Sequence, residues 1–282
     1  MRGAGSKCAG GFARERSLSG GPPVNAIPDA STFAAVIAEP RFWLAAAITA
    51  LAGAVRGFSG FGSALIHIPL ISAVYSPQVA AASFVIIDFL TGLYFAPKVY
   101  RQASWREILP LAASSILAAQ FGALILIYAD PVALRWMICG LIGAVLAILI
   151  SGWRYHGRPR LPITIAVGLI AGLLGGAVQI AGPPVIIYWL GAALAAQVVR
   201  ANFIVYFAIF SAASLITYAL RGLLTPEIVA LSLMIGPLQV GAMALGTQLF
   251  LRASEHDYRR IAYVIVALAA IVSMPLWDGM FR

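Results

Sequence analysis

The chain has 282 residues, of which 61% are hydrophobic and only 10% charged, and its mean hydropathy is +0.93. A water-soluble domain carries roughly 25% charged residues, so the composition excludes one and points to a polytopic membrane protein. The net charge of +9 stands in short breaks between apolar runs, a pattern of membrane topology and not of a nucleic-acid-binding face. Cys8 and Cys139 build neither a disulfide framework nor a thiolate metal site.

Residues 1–40, rich in Gly, Ser, Pro and charge, read as a flexible cytoplasmic tail without the apolar core of a signal peptide. Apolar runs follow near 42–75, 77–97, 107–128, 132–152, 161–190, 196–220, 226–251 and 261–279, each long enough for the ~20 residues of a membrane-spanning helix. The expected fold is all-α, with about eight transmembrane helices. The first and fifth runs exceed one straight crossing and are interrupted by Gly and Pro, so each is a broken helix or two short ones. If each crosses once, 13 Lys and Arg fall on one side and 5 on the other; if each crosses twice, 8 fall against 10. The positive-inside rule favours the first arrangement, with both termini cytoplasmic in an inner (plasma) membrane.

Shifting the chain by 115 superposes Gly53, Gly57, Gly60 and Pro69 on Gly168, Gly172, Gly175 and Pro184. With a shift of 119, Gln78, Val79, Ala82 and Phe84 fall on Gln197, Val198, Ala201 and Phe203, and Gln120 and Gly122 on Gln239 and Gly241. Two repeats result, 41–155 and 161–282, each opening with a broken helix. That organisation is expected of a secondary transporter whose site lies where the halves meet. Four crossings per half give halves of the same orientation, unless the broken segments re-enter from one side.

In GAVRGFSGFGSALIHIPL (53–70), Arg56, Ser59, Ser63 and His67 are spaced by three, four and four, one polar stripe on a continuous helix. A charge at bilayer depth usually faces a partner or a water-filled cavity; the other reading of Arg56 is an interfacial side chain that snorkels to headgroups. Gly57, Gly60 and Gly62 permit unwinding, which frees N–H groups for an anion, or else serve close helix packing. The second half echoes this in GLLGGAVQIAGPPVIIYW (172–189), with Gly175, Gly176, the polar Gln179 and the donor-less Pro183 and Pro184. Asp88, an acid in the middle of an apolar run, is a proton carrier or the counterion of Arg56. Asn202, with Tyr206 one turn on, and the paired Gln120 and Gln239 are either supports of the site or crosslinks between helices.

Gly57-Phe58-Ser59-Gly60 has the GxSG form of intramembrane serine proteases, but no histidine base stands within reach of Ser59 on a continuous helix. No nucleotide loop is present either, so the expectation is no enzyme, no cofactor and no metal. An anion channel is a harder alternative, because a two-half fold with paired glycine breaks can also enclose a pore.

The two glycine-rich openings, GFSGFGSALIHIPL and GLLGGAVQIAGPPVIIYW, together with QVVRANFIVYF (197–207), resemble the TauE/SafE family of sulfite exporters, also called the toluene-sulfonate uptake permease family, over about residues 42–279. The resemblance implies a carrier for sulfite, sulfonates or related small sulfur-containing anions, mostly by export. Its glycine-rich stretches fall on Gly57, Gly60, Gly62, Gly172, Gly175 and Gly176, and the chain departs from the pattern at Ser63, Gln179 and Pro183-Pro184. The expected site comprises Arg56, Ser59, Ser63, His67 and Gln179 with the glycines around them. Asn202, Gln120 and Gln239 support it, and Asp88 is the candidate for coupling to a proton. The expected partners are a small anionic substrate and the lipid bilayer.

Overall fold

A computed structural model describes residues 27–59, 62–151, 160–191, 195–250 and 255–276. These residues form eleven α-helices and no strand: α1 (Ala30–Ala38), α2 (Pro40–Ser59), α3 (Ser63–Val74), α4 (Pro77–Val99), α5 (Trp105–Tyr128), α6 (Pro131–Ser151), α7 (Leu161–Val178), α8 (Gly182–Gly191), α9 (Ala196–Leu220), α10 (Pro226–Phe250) and α11 (Glu255–Val272). Six of them, α4, α5, α6, α7, α9 and α10, are long and apolar enough to cross a membrane; α1 and α2, bent by 85°, make a seventh candidate if taken together. The chain is thus an all-α polytopic membrane protein.

Local chemistry sets the boundaries. Three helices open on a proline preceded by a capping side chain. Ser76 accepts from the Val79 N–H at 3.2 Å, Asp130 from Val132 and Ala133 at 2.9 and 3.0 Å, and Thr225 from Ile228 at 3.4 Å. A proline loses no helical hydrogen bond at that first position, and the cap satisfies an otherwise orphaned donor. The same device starts a helix within the segment expected to be a flexible tail. Asp29 accepts from the Thr32 hydroxyl and N–H and from Ser31 at 2.6, 2.8 and 2.8 Å, bonds that hold its carboxyl down to about 2.

The two broken segments fold back on themselves. Arg56 on α2 bonds Ser63 on α3 at 3.2 Å, and Thr49 meets His67 at 3.3 Å, so α2 and α3 run antiparallel as a hairpin. Likewise Thr164 near the start of α7 bonds Tyr188 near the end of α8 at 2.5 Å. Parallel pairing of α5 with α9 agrees: Ser104 meets Asn202, Ser115 meets Tyr206, and Gln120 meets Thr217 at 2.7, 2.9 and 2.8 Å. Had α7 and α8 made one crossing, α9 would run against α5.

Each half therefore consists of a hairpin that returns to its own side, followed by three long helices. Three is odd, so the halves are inverted relative to one another, the arrangement of many secondary transporters. The described chain begins and ends on one side of the bundle. Single crossings of the broken segments, which favoured cytoplasmic termini by 13 Lys and Arg to 5, do not occur; the fold-back restores the split of 8 to 10.

The halves interlock through glycine. The first helix of each packs on the second long helix of the other: α2 on α10, α7 on α5. A Cβ at Gly53 or Gly57 would fall on the Gln239 or Met243 carbonyl, and one at Gly172 or Gly176 on the Ser115 or Ala119 carbonyl. Helices in lipid gain their association from such close backbone approach.

Candidate functional site

The tips of the two hairpins meet between the middles of α4 and α9, around a cavity of about 40 Å³. At roughly 10–15 Å³ per water centre this admits about three waters or a compact oxyanion head. Arg56, Gly62 and Ser63 reach it from the first hairpin, Gln179, Gly182 and Pro183 from the second, and Asp88 from α4. Phe84, Phe207 and Phe210 close the remaining sides.

Arg56 and Asp88 form an ion pair, and the two residues are only 8% and 5% exposed. Ser63 accepts a second bond from the same guanidinium nitrogen, and the Phe207 ring lies 5.9 Å from the Arg56 Cζ. The arginine therefore does not snorkel; its charge is held midway along α4. Asp88 is its counterion in this state of the protein.

Both tips use left-handed backbone. Gly62 sits at φ 97° and Gln179 at φ 56°. Glycine takes that conformation freely, whereas a side chain there costs ~1 kcal/mol or more. Gln179 is nevertheless glutamine. Its residue is 6% exposed, it lines the cavity, and its Nε2 has no hydrogen-bond partner of normal geometry, although the Tyr218 hydroxyl, which donates to the Gly176 carbonyl, lies beside it. A buried amide N–H without an acceptor is costly, and a ligand oxygen in the cavity would satisfy it.

Other expected site residues lie elsewhere. His67 is fully buried between Thr49 and Ser83, 3.3 Å from each hydroxyl, with Phe84 5.3 Å from its ring; it braces the first hairpin against α4 and does not line the cavity. Asn202 holds the start of α5 through a 2.7 Å bond from the Ser104 N–H, far along α9 from the tips. Gln120 crosslinks α5 to Thr217 at 2.8 Å, while the buried Gln239 stands where α10 meets α2. Of the glycines, Gly62 faces the cavity, Gly175 abuts the Phe210 ring, and Gly57 and Gly176 serve the helix contacts. The side chain of Ser59 and the whole of Gly60 lie outside the described residues. Sequence gave no sign of the wall formed by Phe84, Phe207 and Phe210, since aromatic residues in a membrane helix read as packing.

Behind the second tip lies a larger chamber of about 380 Å³, open on its outer side, between α6, α7 and α8, lined only by apolar side chains and Tyr188. Pro183 borders both this chamber and the central cavity, so the first turn of α8 is the partition between them.

The sequence pattern of the family described as sulfite exporter TauE/SafE matches residues 45–273. No curated protein and no solved structure matches the chain.

Proposed function

The chain belongs to the TauE/SafE sulfite exporter family, and on that premise we propose that it is a secondary carrier for sulfite, an organosulfonate or a related small sulfur oxyanion, driven without ATP and working by alternating access. The observation that carries the reading is the meeting of Arg56, Ser63 and the unpartnered Gln179 amide at the contact of two inverted halves. A guanidinium and oriented N–H and O–H groups are the donors a sulfur oxyanion needs. The cavity is small and walled by both hairpin tips, which favours a carrier over a channel with a continuous pore.

The apolar chamber supports a specific gate. Pro183 and Pro184 have no N–H to pair, so the first turn of α8 gives up few hydrogen bonds when it shifts. Swinging that turn into the chamber opens the central cavity on the side from which α7 and α8 enter, at little cost in exposed polar surface.

Orientation follows from basic residues near the helix ends. Counted by sequence position within about 20 residues of a helix end, the window over which such charges act, the side holding the described chain's two ends takes six: Arg14, Arg16, Arg41, Arg135, Arg221 and Arg282. The opposite side carries ten: Lys98, Arg101, Arg106, Arg154, Arg158, Arg160, Arg200, Arg252, Arg259 and Arg260. This balance favours an inner-membrane protein whose ends face outward, the reverse of the orientation expected from single crossings. Reporters fused after Arg282 decide it, an exported-only signal supporting this reading and a cytoplasmic-only signal refuting it.

Flux in proteoliposomes tests the function. Sulfite and methanesulfonate should include at least one anion with saturable uptake and counterflow. Ohmic single-channel current instead would establish a channel.

A further inference from the structure

The guanidinium that an anion would seek is already occupied. Arg56 Nη1 donates to Asp88 and to Ser63, and both members of the ion pair are buried. The site in this state is therefore electrically neutral, one fixed cation against one carboxylate. Nothing else nearby alters that balance. Of the elements packed on α4, α2 presents Arg56, and α3 presents Ser63 and, one turn along, His67 held by two hydroxyls. From α9 comes the Phe207 ring. Along α10 the only ionisable residue is Glu227 in its first turn, and α7 has none. On α5, α6 and α9 the charged residues Arg106, Glu107, Arg135 and Arg200 stand within the first five residues, and Lys98 and Arg101 lie at or just beyond the end of α4, all away from the middle of the bundle.

An anion entering beside ionised Asp88 would place two negative charges a few ångströms apart in a site of low polarisability. Their repulsion weakens binding by more than ~100-fold at the effective dielectric of protein interiors. A protonated Asp88 without an anion is as unfavourable, since it leaves a buried arginine unpaired. We propose that Asp88 and the transported anion are alternative occupants of Arg56, exchanged by the uptake of one proton. The inference rests on the carrier reading above.

The exchange balances. The Arg56–Asp88 pair plus a monoanion and one proton gives an Arg56–anion pair and a neutral Asp88 carboxyl group, with the proton drawn from the aqueous side that supplies the anion. Only the empty ion pair and the fully loaded form are free of an unpaired buried charge, so only these two cross between access states. The consequence is obligatory co-transport of one proton per monoanion, in the same direction and without net charge movement. An anion accumulated in the cell thus leaves together with a proton, as export of its acid.

The test uses the purified full chain in proteoliposomes with a luminal pH dye. Methanesulfonate is the primary probe, because it stays a monoanion across the pH range and cannot carry a proton itself; sulfite is the second. The expected result is one proton moved per methanesulfonate, in the same direction, at a rate unchanged by a potassium-diffusion potential. Asp88→Asn should stop proton movement with methanesulfonate and make its binding independent of pH, and with sulfite should remove the one proton moved beyond that which hydrogensulfite itself carries. It should preserve anion-for-anion exchange but cut net uptake at least tenfold, because the empty carrier then has to return with Arg56 unpaired. If Asp88→Asn does not fold, the proton-to-anion ratio and potential dependence of the wild type decide alone. Wild-type flux that moves charge, or that moves methanesulfonate without protons, overturns the proposal and leaves the carrier reading standing. Sulfite flux whose accompanying protons are unchanged in a folded Asp88→Asn variant overturns it equally. Absence of saturable flux for both anions instead refutes the carrier reading on which it rests.

Discussion

Arg56 on α2 and Asp88 on α4 are paired at the middle of the bundle, 8% and 5% exposed, where the tips of two inverted hairpins converge. The pair connects stability to function. Removing one member of a buried pair strands the other charge and costs ~3–5 kcal/mol, whereas replacing both by apolar residues of similar size is often neutral. Arg56→Gln alone should therefore lower the thermal stability of the detergent-solubilised protein sharply, while Arg56→Met combined with Asp88→Leu should restore most of it. Equal destabilisation by the single and double variants would mean that the pair is not what holds these two helices in register.

The breaks that define the site were legible as Gly and Pro clusters, and the duplicated spacing located both. Direction was not. Read as one helix, Arg56, Ser59, Ser63 and His67 form a stripe, but the chain reverses between the end of α2 and the start of α3. Ser63 consequently returns to Arg56 at 3.2 Å, and His67 is carried down to Thr49. No local pattern distinguishes a helix that resumes from one that reverses, because that choice is made by packing: α2 presses Gly53 and Gly57 on α10, a partner 186 residues away in sequence at both contacts. Asn202 misled for a similar reason. Its amide oxygen caps backbone at the start of α5, a task that leaves no trace in the spacing.

Gln179 separates strain from recognition. Gln179→Gly removes a side chain from left-handed backbone and should stabilise the fold by ~1 kcal/mol. It also removes the unpartnered amide, and losing one hydrogen bond of ~0.5–1.5 kcal/mol should weaken anion binding by about 2–10-fold. Thermal melts and equilibrium binding of the transported anion on the same preparation check both halves. A variant that binds as tightly as the wild type would show that the amide does not touch substrate.

The glycine contacts predict opposite outcomes for the same substitution. A Cβ at Gly172 would overlap the Ser115 carbonyl, whereas one at Gly143 meets nothing within 4 Å. Gly172→Ala should destabilise by ~1–3 kcal/mol through overpacking, and Gly143→Ala should stabilise α6 by ~0.5–1 kcal/mol. Denaturation of the two variants in one detergent gives the comparison, and equal shifts would contradict the interlocked packing of α7 on α5.

The chamber behind α8 can be filled. Val145 is 4% exposed and lines it from α6. Val145→Phe adds bulk where the first turn of α8 would move, so it should leave thermal stability and anion binding near wild type while slowing transport at least tenfold; Val145→Ala should transport normally. Unimpaired flux in Val145→Phe would show that α8 does not enter this space.

The central claim is that an anion binds Arg56 between the hairpin tips and crosses by exchange of access. Counterflow tests it most directly: proteoliposomes preloaded with unlabelled sulfite take up trace labelled sulfite, with the folded Arg56→Met, Asp88→Leu double variant as comparator. The account predicts saturable counterflow in the wild type and none above empty liposomes in the double variant, at matched incorporation and thermal stability. Wild-type counterflow in the double variant would contradict it, because the anion would then cross without the charge that this site provides.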